Sequence, residues 1–189
     1  MSGFFEYIQD ETAEKLALAL AELMEKESFD KISTSEILEQ SGVSRSTFYR
    51  RYRDKYDLLT SNYQQLLDET LGKIAEGLSF KESFFRLYEA LKAHPSFFKN
   101  ALSSDEPNGL KQYIFRKSYE TYDQLLKKQG IDTDSTYYRW LLTGYLKGAL
   151  EVTCIWVEQG MKEPIDFLFH VSYELIPHEI QIHLALAYM

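Results

Sequence analysis

SGVSRSTFYRRYRDK, residues 41–55, sets five cations (Arg45, Arg50, Arg51, Arg53 and Lys55) against one anion, Asp54. The chain around it is acidic, with a formal net charge of -8 over 189 residues. Positive charge gathered so locally calls for a local reason. Gly42 can take the positive-φ conformation that stops a helix sharply, and Ser44 is a good N-cap for the next one. The spacing predicts a helix from Ser44 to about Tyr52, roughly 13 Å long at about 1.5 Å per residue. Phe48 and Tyr52 lie four apart on it and face inward with Val43, which turns Arg45, Ser46, Tyr49 and Arg50 outward. Upstream, Ser33 and Glu36 fit a capping box that opens a short helix reaching Ser41. Two short helices across a glycine turn make a helix-turn-helix, which lays its second helix in the major groove of DNA. That groove is about 12 Å wide, so one helix fits. Guanidinium forks suit guanine edges and phosphate, and hydroxyls suit phosphate oxygens.

Working outward, residues 11–27 place Leu16, Ala19, Leu20, Leu23 and Met24 at helical spacing opposite Glu14, Lys15, Glu22 and Glu25, an amphipathic helix. Asp54 can cap a long helix from Lys55 to about Leu78, a rigid strut joining both halves of the chain. Beyond it the pattern stays helical: Lys81–His94, Pro95–Leu102, Leu110–Lys128, Ser135–Gln159 and Glu163–Ile176, with SSDEPNG (Ser103–Gly109) as the clearest loop. From Ile180 to Tyr188 apolar residues alternate with Gln181, His183, Ala185 and Ala187; this strand-like period competes with a packed helical tail. The expected fold is all-α: a helix-turn-helix domain over residues 1–54 and a helical bundle over 55–189.

Composition narrows the function classes. Apolar residues make up 44% and aromatics 15%, so the chain is globular. An acidic balance argues against a protein coated in nucleic acid, but not against one with a small basic face. The single cysteine, Cys154, rules out an internal disulfide and suits a reducing cytoplasm. Neither a signal peptide nor an 18-residue apolar span is expected. His94, His170, His178 and His183 are too scattered for a metal site, and no cofactor motif occurs. No nucleophile with a nearby base, paired carboxylates in an apolar setting, or phosphate-binding glycine loop points to an enzyme.

Segment 12–59, TAEKLALALAELMEKESFDKISTSEILEQSGVSRSTFYRRYRDKYDLL with its flanks, resembles the DNA-binding domain of the tetracycline-repressor (TetR) family. The carriers are Phe29, the capped second helix, the turn at Ser41–Ser44, the run Thr47-Phe48-Tyr49-Arg50-Arg51-Tyr52 and Lys55. The sequence departs from the family pattern at Ser28, where glycine is usual and a strained or reshaped turn is implied, and at Ser46, Arg51 and Tyr52. The resemblance implies phosphate contacts from Thr34, Ser44, Thr47, Tyr49 and Lys55, and base-edge contacts from Arg45, Ser46 and Arg50. It also implies a C-terminal domain that dimerises and often holds an inducer.

Read by themselves, the C-terminal residues fit that picture. The Ser135–Gln159 helix is apolar on too many sides for one core. Gly144 and Gly148 form a smooth patch for another helix; with Val152, Trp156, Leu168 and Ser172 they are the expected dimer face. Phe84, Tyr88, Tyr113, Tyr119, Tyr122, Tyr137 and Tyr145 are the expected lining of an effector pocket for a small apolar or aromatic molecule; plain core packing is the competing role for each. Cys154, among Val152, Ile155 and Trp156, reads as an inert buried thiol. The function expected is a cytoplasmic, ligand-responsive repressor, a homodimer on a palindromic double-stranded operator. The alternative is a coactivator or corepressor whose C-terminal domain binds a partner protein.

Overall fold

The computed structural model describes residues 3–76 and 78–181. Its elements run α1 (Glu11–Met24), α2 (Thr34–Ser41), α3 (Arg45–Arg51), α4 (Lys55–Glu69), α5 (Phe80–Lys92), α6 (Pro95–Ser103), α7 (Leu110–Lys128), α8 (Thr136–Glu158) and α9 (Ile165–Glu174). Short 3-10 segments, Phe4–Tyr7 and Leu71–Glu76, precede α1 and follow α4. No strand occurs among the described residues.

Local chemistry sets the helix starts. Ser33 and Glu36 close the expected capping box on α2, and Ser79 and Glu82 close a second on α5. Asp10, Ser44, Asp54 and Ser135 each accept a backbone N–H at the head of a helix. Gly42 ends α2 with φ 69°, the left-handed region that glycine tolerates. The strut is shorter than its apolar pattern implies. At Thr70 the hydroxyl donates to the Leu66 carbonyl at 2.6 Å, the Thr70 amide drops back to Leu67, and α4 gives way to the 3-10 turn. α9 also falls short, running Ile165–Glu174 behind Pro164. The alternation after Ile180 lies outside the described residues; Ile180 itself is buried in a helical turn over 178–181.

One continuous core runs from Phe4 through α1, Phe48 and α4 to Trp156 and Leu168. The N-terminal Phe4 is fully buried and packs edge-on against Phe98, while Phe5 packs against His94 and Phe97. α6 thereby holds the first helices from beneath. A polar clamp lies beside this aromatic one. The Asn100 amide donates to the carbonyls of Met24 and Glu27 at 2.8 and 2.7 Å and accepts from the Phe29 amide at 2.7 Å. Ser104 adds a 2.6 Å bond to Asp30. This clamp is how the α1–α2 turn closes without a glycine: Ser28 is not among the residues with positive φ. Asn100→Ala removes three bonds of about 0.5–1.5 kcal/mol each. It is expected to lower stability by about 2 kcal/mol in urea denaturation; an unchanged midpoint would show the clamp to be incidental.

Candidate nucleic-acid interface and effector cavity

α3 packs by Phe48, fully buried, and Tyr52, 7% exposed, with Val43 half-buried beside them. Arg45, Ser46, Tyr49 and Arg50 are exposed. At the head of the helix the Ser44 hydroxyl accepts from the Thr47 amide and donates to Thr47 Oγ1 at 2.9 Å. Thr34, half-buried, opens α2 on the adjoining turn. Arg45 reaches the neutral Ser35 hydroxyl at 3.1 Å. Arg50 makes no hydrogen bond or ion pair among the described residues.

The other three cations of the opening segment have different work. Arg51 forks onto both carboxylate oxygens of Asp10 at 2.7 and 3.0 Å, locking α3 to the cap of α1. The cap itself is the main reason that the Asp10 carboxyl titrates below its ordinary value: the Ala13 amide, then Arg51, favours its charged form. Arg53 leans on Asp57 at 3.4 Å. Lys55 corrects the expectation of a phosphate contact. Its side chain lies inside the protein, with 8% of the residue exposed. Nζ donates to the carbonyls of Phe29, Asp30 and Ile32 at 2.7, 2.9 and 2.7 Å, matching the three protons of an ammonium. The faces of Phe29 and Tyr56 lie 4.8 and 5.1 Å from it. Burial lowers its pKa, opposed by the nearby Asp30 and Glu106 carboxylates. A lysine so engaged has no proton left for DNA. Among the described residues Arg45 and Arg50 are the cations of α3 with no carboxylate partner.

In the C-terminal half, α4, α5, α7, α8 and α9 line a cavity of about 330 Å³ that opens to solvent past Asp68 and Thr121. Phe84, Tyr88, Tyr122 and Tyr145 line it as the aromatic pattern implies. Tyr113, Tyr119 and Tyr137 do not, a correction to that pattern. Tyr113 turns to the Gln64 side chain on a polar groove outside, and Tyr119 leans on Phe115. Tyr137 is 55% exposed and donates to Glu179. Tyr63, Thr153 and Phe169 also line it without having been expected there, and so does Ser172, which was expected on the dimer face. The signal available was a small hydroxyl on an apolar helix face, as at Thr153 and Ser172. Tyr88 Oη and Thr153 Oγ1 lie 2.8 Å apart, as do the Tyr122 and Tyr145 hydroxyls at 3.0 Å. Burial pushes the Tyr88 phenol up to about 12 against the Thr153 bond, and raises Tyr63 as well, so both stay neutral. Cys154 is buried and its thiol is pushed up to about 11 by burial, which makes it unreactive.

The expected dimer face is redrawn. Gly144 and Gly148 do present open surface, with no atom within 4 Å of where a side chain would begin. Val152 is half-buried. Trp156 and Leu168 face the core instead, Trp156 donating its indole N–H to the Glu163 carbonyl at 2.9 Å. Ser172 faces the cavity. The apolar groups left outside are Tyr137, Trp140 and Ile155 on α8 and Phe167, Tyr173 and Leu175 beyond it, with Trp140 77% exposed.

Comparison with known proteins agrees with this architecture. The family model "Bacterial regulatory proteins, tetR family" matches residues 17–61, and "Transcriptional regulator C-terminal region" matches residues 79–178. The "uncharacterized HTH-type transcriptional regulator YvdT" of Bacillus subtilis (strain 168) is 31% identical over 78 residues. That match covers 41% of this chain and 40% of the relative. The solved structure titled "Dihydroxyacetone kinase operon activator DhaS" shares the fold, with a TM-score of 0.62 at 16% identity over 91% of this chain and 97% of that one. Among the described residues no helix is long and apolar enough to cross a membrane. With a helix-turn-helix whose second helix exposes Arg45 and Arg50, a helical C-terminal half and both regions matched by family models, the chain belongs to the TetR family of DNA-binding transcriptional regulators.

Proposed function

We propose that this regulator is a ligand-responsive repressor of the cytoplasm, a homodimer that holds a palindromic operator with two copies of α3 and is released by a small apolar or aromatic effector. Residues 1–54 serve as the reading head and residues 55–189 as the dimerising sensor; the chain regulates and does not catalyse. One observation carries this reading. Tyr63, Gln64 and Leu67 of α4 form a wall of the cavity, while Lys55 at the head of the same helix holds three carbonyls around the α1–α2 turn. About two helical turns separate the wall from the pin, roughly 12 Å at about 1.5 Å per residue. A ligand that tilts α4 therefore moves the α1–α2 turn, and with it α3, which Arg51 ties to the cap of α1 at Asp10. A coupling of about 1–3 kcal/mol suffices for roughly 5–150-fold relief.

Selection of bound duplexes from a random pool at two salt concentrations tests the reading. Inverted half-sites and a steep salt slope are expected; enrichment of no sequence would sink it. A second reading has the C-terminal half binding a partner protein, as a coactivator or corepressor. The exposed apolar groups on α8 and α9 favour it. In that case a partner, and no small molecule, would change operator affinity.

The same groups form the proposed seam between copies, because Gly144 and Gly148 let helices approach and Trp140 stands almost wholly in solvent. Trp140→Glu is expected to halve the mass measured by light scattering at micromolar protein while leaving the circular dichroism unchanged. A mass that stays dimeric would move the seam elsewhere.

A further inference from the structure

We infer that the cavity is built for an uncharged aromatic compound of about two or three rings bearing a hydrogen-bonding group, which meets the Ser172 hydroxyl; this deepens the ligand-responsive reading and rests on it. Three observations lead there. The first is charge. The charged side chains along the lining are Asp68 and Lys117. Both already have partners: exposed Asp68 accepts from the Gln64 amide at 2.6 Å, and Lys117 lies 3.6 Å from Glu120. Among the described residues no buried charged side chain lines the cavity, so an ionised group taken deep into it would lose its hydration without a buried counter-charge.

The second is the walls. Phe84 and Tyr88 stack at 4.2 Å, Phe169 meets Phe84 edge-on at 5.2 Å, and Tyr122 meets Tyr145 edge-on at 5.5 Å. Such surfaces favour a flat ring, which gains offset or edge-to-face contacts that a branched aliphatic lacks. The volume of about 330 Å³ lies at the small end of ligand sites, which run from about 300 to 1,000 Å³.

The third is an unpaired group. Tyr88 has Thr153, and Tyr122 has Tyr145. Ser172 Oγ is buried and has no hydrogen-bond partner among the described residues. A buried hydroxyl left alone is unfavourable, so a ligand donor or acceptor placed beside it gains what the empty cavity withholds.

A pair of dyes with one skeleton tests this on the full chain. N-phenyl-1-naphthylamine is neutral and carries one N–H; 8-anilino-1-naphthalenesulfonate is the same molecule with a sulfonate. The neutral dye is expected to bind once per chain, and at least tenfold more tightly than the sulfonate. Ser172→Ala should weaken the neutral dye about three- to tenfold. Ala149→Trp, inside the lining, should abolish its binding; should that variant fail to fold, Thr121→Trp fills the cavity from its exposed rim. Equal or tighter binding of the sulfonate, no binding of the neutral dye, or a Ser172→Ala variant that binds unchanged overturns the inference. Dye signals that both tryptophan variants leave intact would place binding elsewhere and overturn it too. A neutral dye that enters the cavity yet leaves operator affinity unaltered would count against ligand-responsiveness, and not against the class of ligand.

Discussion

Lys55→Ala is expected to lower the melting temperature of the full chain by about 6–12 °C. The substitution empties a buried site of three short bonds, from Nζ to the carbonyls of Phe29, Asp30 and Ile32. Bonds to a charged group contribute about 1.5–3 kcal/mol each. Part of that is returned, because the wild-type ammonium gave up its hydration to be there. A net loss of about 3 kcal/mol is reasonable, and a chain of this size shifts by about 2–4 °C per kcal/mol. The Phe29 carbonyl keeps a weaker bond from the Ile32 amide, whereas those of Asp30 and Ile32 lose the lysine outright. Lys55→Met preserves much of the apolar stem and none of the bonds, so it should fall nearly as far. Calorimetry reads the stability; operator titration at several salt concentrations reads the alternative role. A lysine on a phosphate in each half of a two-fold complex would lower the salt slope by about 1.8 when removed, about 0.9 per contact. The folded variant is expected to keep its slope. A normal melting temperature with a reduced slope would restore Lys55 to the DNA surface.

Arg45→Ala and Arg50→Ala should do the reverse: no loss of stability, and a large loss of binding. Both side chains are exposed, and Arg50 has no partner among the described residues to lose. A guanidinium forked onto guanine contributes about 1–3 kcal/mol of discrimination. A two-fold complex carries each arginine twice, so either substitution is expected to weaken the best operator by about 2–6 kcal/mol if the half-sites add. Fluorescence anisotropy on the selected operator and on a scrambled duplex measures both specific and general binding. Arg50→Lys separates the roles: it keeps the charge and loses the planar fork. Full recovery by lysine would assign Arg50 to phosphate, and partial recovery with relaxed sequence preference would assign it to a base.

Much of the fold was legible because the signals were short-range. Ser33 and Glu36 are three residues apart, Phe48 and Tyr52 four, and Gly42 and Ser44 sit beside the turn they shape. The Phe84, Tyr88, Tyr122 and Tyr145 part of the cavity was legible as aromatic helix faces. Tyr113, Tyr119 and Tyr137 carried the same signal and point elsewhere, since periodicity tells which residues share a face and not what that face meets. The strut was overextended for a related reason: its apolar period continues past Glu69, and the hydroxyl that diverts the backbone at Thr70 is invisible to a hydropathy pattern.

The amino-acid sequence by itself determined the helical order, the caps, the reading helix and the outward set Arg45, Ser46, Tyr49 and Arg50. All of these follow from contacts within a few residues. Only the tertiary structure decided which cations stay free. Arg51 finds Asp10 forty-one residues away, Lys55 finds carbonyls twenty-three to twenty-six residues back, and Asn100 grips the α1–α2 turn from as far as seventy-six. A buried charge or amide must be matched by whatever groups the packed chain brings near it, and no local pattern records which groups those are.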